Sequence, residues 1–224
     1  MTFNEIEENT VALLKTVSSS SNIDVCKPPI PIEDIATHFF RFEIVSGLHS
    51  DEEISGKIES VQRLIVVNSK EPIVRQRFSI AHEIGHWVLH TRTRNGQIVF
   101  ISTIRQDRIE AEANAFAGAI LMPKKLLYEY LLKNLNLVSN FETEWLNKIL
   151  ALLPICHYHF FNKLLFSQFF QMRDSSSKKK NEWAQTIVSL VPTLTRDFRV
   201  SKEAISVRLQ VLGLLSPIYV TNKK

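Results

Sequence analysis

The chain has 224 residues, 45% apolar and 22% charged, a composition typical of globular proteins, and it is long enough to bury one sizeable core. A formal charge of +4 and a pI near 9.1 are mild, and part of the excess sits in Lys178, Lys179, Lys180, Lys223 and Lys224, so composition gives no nucleic-acid footprint. Cys26 and Cys156 are far apart and form no C-x-x-C pair, which argues against a disulfide scaffold and a thiolate metal site; the start, MTFNEIEENTVALLK, lacks a basic segment before an apolar core, so a cytoplasmic setting is expected.

In chain order, Phe3, Ile6, Thr10, Leu13, Leu14 and Val17 recur at helical intervals, predicting an amphipathic helix over 2–17 that the serines at 18–21 end. The proline-rich stretch 27–31 reads as extended and leads into a short helix over about 32–39. Residues 40–45 read as a strand, and 57–59 pair with 63–68 in a hairpin-like region punctuated by Gly47 and Gly56. Together these strands predict a small, largely antiparallel sheet. A helix over 75–90 follows, then a polar turn at 91–96, a short strand or extended link at 98–101, and helices over 105–121 and 124–135.

Beyond Pro123 the pattern is less regular. Residues 145–170 are unusually aromatic, but the longest stretch free of Lys, Arg, Asp and Glu is 149–162, short of the ~18 to 20 residues a membrane span needs. It reads as two buried helices or as an oligomer-facing or substrate-facing surface, with His157 and His159 as core or interface histidines. Residues 175–180, SSSKKK, read as a flexible link. Ser201 caps a helix over 201–212 that Gly213 stops. Residues 193–212 carry Arg196, Arg199, Lys202 and Arg208 and could pass for half of a DNA-binding helix-turn-helix. A packing element closing the core is the better reading. The fold class expected is α+β, mostly helical: a core over 1–132, an aromatic helical insertion and link over 133–181, and a closing helical segment over 182–224.

The chemistry is concentrated in residues 75–90, RQRFSIAHEIGHWVLH. His82 and His86, four apart on a helix, stand one above the other and can reach one ion. Glu83 lies about 100° further round, where its carboxylate can polarise a water instead of binding the ion. By chance alone this H-E-x-x-H pattern arises in roughly one chain of this length in a hundred, so a third ligand decides the matter. In residues 105–123, RQDRIEAEANAFAGAILMP, Glu110 supplies it, completing the two-histidine, one-carboxylate set common in catalytic zinc sites. Asn114, one turn on, can hold the ring nitrogen of His82 or His86 that faces away from the metal. Glu112 competes with Glu110 but points away from the Asn114 face. His90 reads as a helix-end histidine bonding carbonyls and favoured by the dipole.

The two stretches together resemble the ImmA/IrrE family of zinc metallopeptidases: an HExxH helix ending in LH, then E-x-x-A-N-x-F-A and a terminal L-M-P. LIVVNS at 64–69 is similar to the strand before that family's zinc helix, and RDFRVSKEAISVRLQVLGLL at 196–215 to its closing helices. The likeness covers about 31–123 and again 183–215, with no counterpart for 133–180. It implies a Zn2+ endopeptidase with ligands His82, His86 and Glu110, catalytic Glu83, and a helix-turn-helix repressor as protein substrate. Two alternatives stand beside it: a zinc-site module that regulates a repressor without cutting it, and a DNA-associated regulator using the C-terminal helix. Tyr128, His157 and His159 are the candidates for a second oxyanion donor.

Overall fold

The computed structural model describes residues 1–47, 55–94, 97–100, 105–134 and 177–215. Helix α1 spans Phe3–Ser20 and opens with a capping box: the Thr2 hydroxyl accepts from the Glu5 amide (3.3 Å) and the Glu5 carboxylate accepts from the Thr2 amide (2.6 Å). Ile6, Thr10, Leu14 and Val17 face inward, as their spacing requires. The helix runs past residue 17 to Ser20, and the Ser20 and Ser21 hydroxyls bond back to the Thr16 and Val17 carbonyls (2.5 and 2.6 Å). Helix α2, Ile32–Asp34, widens into a π-helical turn at Ile35–Phe39.

Strands β1 (Glu43–Gly47), β2 (Gly56–Glu59) and β3 (Leu64–Asn68) form one sheet in the order β1-β3-β2. The expectation of a largely antiparallel sheet needs correction: β2 pairs with β3 antiparallel, but β1 pairs with β3 parallel, Glu43 opposite Leu64. The apolar LIVVN takes the central place, with Ile65 and Val67 fully buried. The hairpin occupies one edge of β3, so β1 can join only at the other, and it enters in the parallel sense.

Helix α3 (Ile73–His90) follows, and then β4 (Thr91–Arg94) pairs antiparallel with β5 (Gln97–Phe100). The polar turn expected at 91–96 is therefore largely a strand, in keeping with the β preference of its two threonines. Helix α4 (Gln106–Leu121) packs along α3. At the crossing, a Cβ on Gly85 would lie 3.1 Å from Phe116 Cδ1 and 3.2 Å from the Ala113 Cα and carbonyl, so glycine lets the two backbones meet.

Helix α5 (Lys124–Asn134), α6 (Ser177–Phe198) and α7 (Lys202–Val211) complete the described part. The link expected at 175–180 is corrected from residue 177 onward. Those residues begin α6, whose sequence has no glycine or proline before Pro192. Of the expected insertion over 133–181, only 133–134 and 177–181 fall among the described residues. Ala184, Ile187, Val191, Leu194 and Phe198 bury one stripe of α6, and Tyr130 donates to Asp197 (2.5 Å) to tie α5 to it.

Arg208 on α7 is buried. It donates to the Met122 carbonyl (3.1 Å) and forks onto the Glu7 carboxylate, fastening α7 to α1 and to the end of α4. It is therefore removed from any DNA-facing surface, contrary to that alternative, and acts as a core staple. One hydrophobic cluster runs through α1, β3 and α3 to α7, represented by Ile6, Ile65, Ile84, Phe116, Leu127, Ile187 and Ile205.

Candidate metal centre

The close crossing of α3 and α4 brings three donors together. His82 and His86 point their Nε2 atoms at each other, 2.9 Å apart; Glu110 Oε2 lies 3.1 Å from His82 Nε2 and Oε1 3.6 Å from His86 Nε2. Among the described residues these form the one group of three such donors able to hold a metal ion. The spacing is of the size zinc needs, because bonds of about 2.0–2.1 Å in a tetrahedron set ligand atoms about 3.3 Å apart, near the 2.9 Å between the two Nε2 atoms and the 3.1 Å from His82 Nε2 to Glu110 Oε2. The donor set fits as well. Two imidazoles and one carboxylate leave a fourth position open, and the 42% exposure of Glu110 puts that side at solvent.

Two of these side chains are also held by a neighbour. Asn114 Oδ1 lies 3.0 Å from His82 Nδ1, the contact expected from the sequence, and Gln106 donates to Glu110 Oε1 (2.8 Å). Burial, with the neighbouring His82 ring next, pushes the His86 pKa down to about 4, against the opposing pull of Glu110. The ring is thus neutral, the form in which imidazole binds metals.

Glu83 is 7% exposed and lies under the cleft beside the triad. Burial first, and the Glu110 charge second, raise its pKa to about 7, while the Ile58 backbone amide of β2 opposes them. A cation at the triad would draw that value down again. Strand β2 comes this close because residue 56 is glycine: a Cβ there would stand 3.0 Å from Ser79 Cβ and 3.7 Å from Glu83 Oε1.

Glu112 takes a different place from Glu110. It is buried, with Oε2 3.0 Å from His90 Nε2 and Oε1 accepting from Arg108 Nε at 3.0 Å. His90 is buried too. Its ring meets Glu112 and His86 instead of the helix-end carbonyls that the sequence suggested, so that expectation is corrected. Tyr128 is 3% exposed and is not among the side chains lining the cleft, which removes it as an oxyanion donor; His157 and His159 lie outside the described residues.

The cleft over the triad has a volume of about 830 Å³. Sequence reasoning missed part of its lining, Val207 and Val211 of α7, which join Val74 and Phe78 of α3 there. The available signal was a pair of valines one turn apart beside Arg208, and that reads equally well as core packing.

Residues 19–146, more than half of the chain, match the IrrE N-terminal-like domain. The chain belongs to the ImmA/IrrE metallopeptidase family. Over 70 residues this family member is 39% identical to Metallopeptidase ImmA of Bacillus subtilis (strain 168), covering 31% of this chain and 40% of that protein. It is 32% identical over 80 residues to Uncharacterized immunity region protein 2 of Bacillus phage phi105, covering 35% of this chain and 51% of that one. The match thus spans about half or less of the length of these curated relatives. Among solved structures, a Mycobacterium tuberculosis transcriptional regulator aligns with a TM-score of 0.47 and 12% identity, over 94% of this chain and 52% of that one.

Proposed function

We propose that this ImmA/IrrE family member is a zinc-dependent endopeptidase in which His82, His86 and Glu110 hold the metal and Glu83 moves the proton. The observation that carries the reading is the convergence of two imidazole Nε2 atoms and one carboxylate on a common point, with a buried second carboxyl beside it at the floor of a cleft. When bound, the zinc ion supplies a Lewis acid that activates a water and polarises the scissile carbonyl.

Glu83 Oε would take a proton from the water as its oxygen bonds to the scissile carbonyl carbon, and would return that proton to the amine as the C–N bond breaks. Its burial keeps the carboxylate from being fully solvated, which strengthens it as a base. Asn114 and Gln106 keep the His82 ring and the Glu110 carboxylate in their present orientations. Val74, Phe78, Val207 and Val211 line the cleft with aliphatic and aromatic surface, a lining suited to an apolar side chain next to the cut bond. A helix-turn-helix repressor in the cytoplasm is the proposed substrate. The name of the phage phi105 relative, which places that protein in an immunity region, supports this choice.

Incubating the zinc-loaded chain with a random peptide library and with a repressor encoded beside it tests the reading. Cleavage with an apolar residue adjoining the cut, lost in Glu83→Gln while zinc is retained, is the expected result. Tight repressor binding without cleavage would instead establish a non-cutting regulatory module.

A further inference from the structure

We infer that His90 and Glu112 fix the tautomer and aim of His86, as positioning residues behind the metal centre; the inference rests on the proposal that His86 is a ligand through Nε2. The His86 ring has one nitrogen toward the triad and the other, Nδ1, 3.3 Å from His90 Nδ1. His90 Nε2 in turn lies 3.0 Å from Glu112 Oε2. Three groups therefore stand in line, and the order of their protons is constrained at both ends.

A neutral imidazole that offers its Nε2 lone pair to a cation carries its proton on Nδ1, and that N–H must find an acceptor. His90 Nδ1 is the acceptor within reach, so the His90 proton resides on Nε2, where the Glu112 carboxylate receives it. Arg108 Nε donates to the other Glu112 oxygen at 3.0 Å, which favours a carboxylate that only accepts.

The reverse order fails on two counts. If His90 donated from Nδ1 as a neutral ring, its Nε2 lone pair would face a carboxylate lone pair at 3.0 Å. The His86 proton would also sit on Nε2, pointing into the triad. A doubly protonated His90 relieves the first conflict and leaves the second.

Burial makes the arrangement matter. His90 is 1% exposed and the Glu112 side chain 5%, so water has little access to replace either partner. His82 obtains the same orientation from the exposed Asn114, whose loss water can partly make good. The two ligand histidines are thus aimed by supports of unequal depth.

Long-range 1H–15N spectra of the 15N-labelled, zinc-loaded full chain test the proton order, alongside chelator competition for zinc in His90→Phe and His90→Gln. The expected result is His86 protonated on Nδ1 and His90 on Nε2, with zinc affinity down about 10–100-fold in His90→Phe and partly restored in His90→Gln, which keeps an acceptor. His90 protonated on Nδ1, or a folded His90→Phe that holds zinc as tightly as the unaltered chain, overturns the inference. Because the spectra use the unaltered protein, they decide the matter even if His90→Phe does not fold. Glu110→Gln separates the two levels: if it leaves zinc affinity unchanged, the ligand assignment itself is wrong. If it weakens zinc while His90→Phe does not, only the positioning role falls.

Discussion

Helices α3 and α4 carry two histidine–glutamate clusters barely a turn apart, and the two have opposite characters. In the first, His82, His86 and Glu110 direct their donor atoms at one shared point, and Glu110 is 42% exposed. In the second, His90 and Glu112 are buried, and each atom that could serve a metal already has a protein partner. The same residue types on the same helix pair therefore separate by partnering and depth. Donors that converge with an open side can hold an ion, whereas donors that satisfy one another hold the helices and aim their neighbours.

That contrast can be broken by substitution. The largest effect is expected from Glu83→Gln, which removes the proposed proton carrier without touching the donor atoms: peptide cleavage falls by about 10²–10⁴-fold with zinc content unchanged, read by initial rates and metal analysis. Next is Glu112→Ala, which strips partners from buried His90 and costs roughly 1–3 kcal/mol of stability in a denaturant titration. Its mirror, Glu110→Gln, weakens zinc while the zinc-free protein unfolds within about 0.5 kcal/mol of the unaltered one. A Glu110 variant that unfolds early, or a Glu112 variant as stable as its parent, would erase the distinction between the clusters.

Gly85→Ala pushes on both clusters at once, because the new methyl meets Phe116 and Ala113 at 3.1–3.2 Å. A loss of roughly 1–3 kcal/mol is expected, with weaker zinc binding as His82 and His86 move away from Glu110. The smallest effect belongs to Asn114→Ala. Its partner His82 stays near solvent, so zinc affinity falls by about ten-fold, the low end for an orienting group, in a chelator titration.

Much of this was legible in the sequence because it depends on local period. The i, i+4 relation of His82 to His86, the shared face of Glu110 and Asn114, and the Ser201 cap at the start of α7 all follow from local sequence and helix geometry. What escaped depends on contacts distant in sequence. Nothing local to LIVVN says that β1 joins it parallel, since that follows from which edge the β2 hairpin leaves free.

His90 looked like a helix-end residue because its partner, Glu112, lies on another helix. Arg208 looked like part of a basic face because Glu7, 201 positions away, gives no sign at that site of the pair it forms. Val207 and Val211 carried an ordinary packing pattern, and only the placement of α7 at the cleft makes them part of its lining.

X-ray absorption at the zinc edge of the stoichiometrically loaded chain tests the ligand assignment most directly. Two imidazole nitrogens at about 2.0–2.1 Å with oxygen completing the shell, and loss of that spectrum in Glu110→Gln, is the expected result. A sulfur at about 2.3 Å, or a spectrum that Glu110→Gln leaves unaltered, would contradict the account.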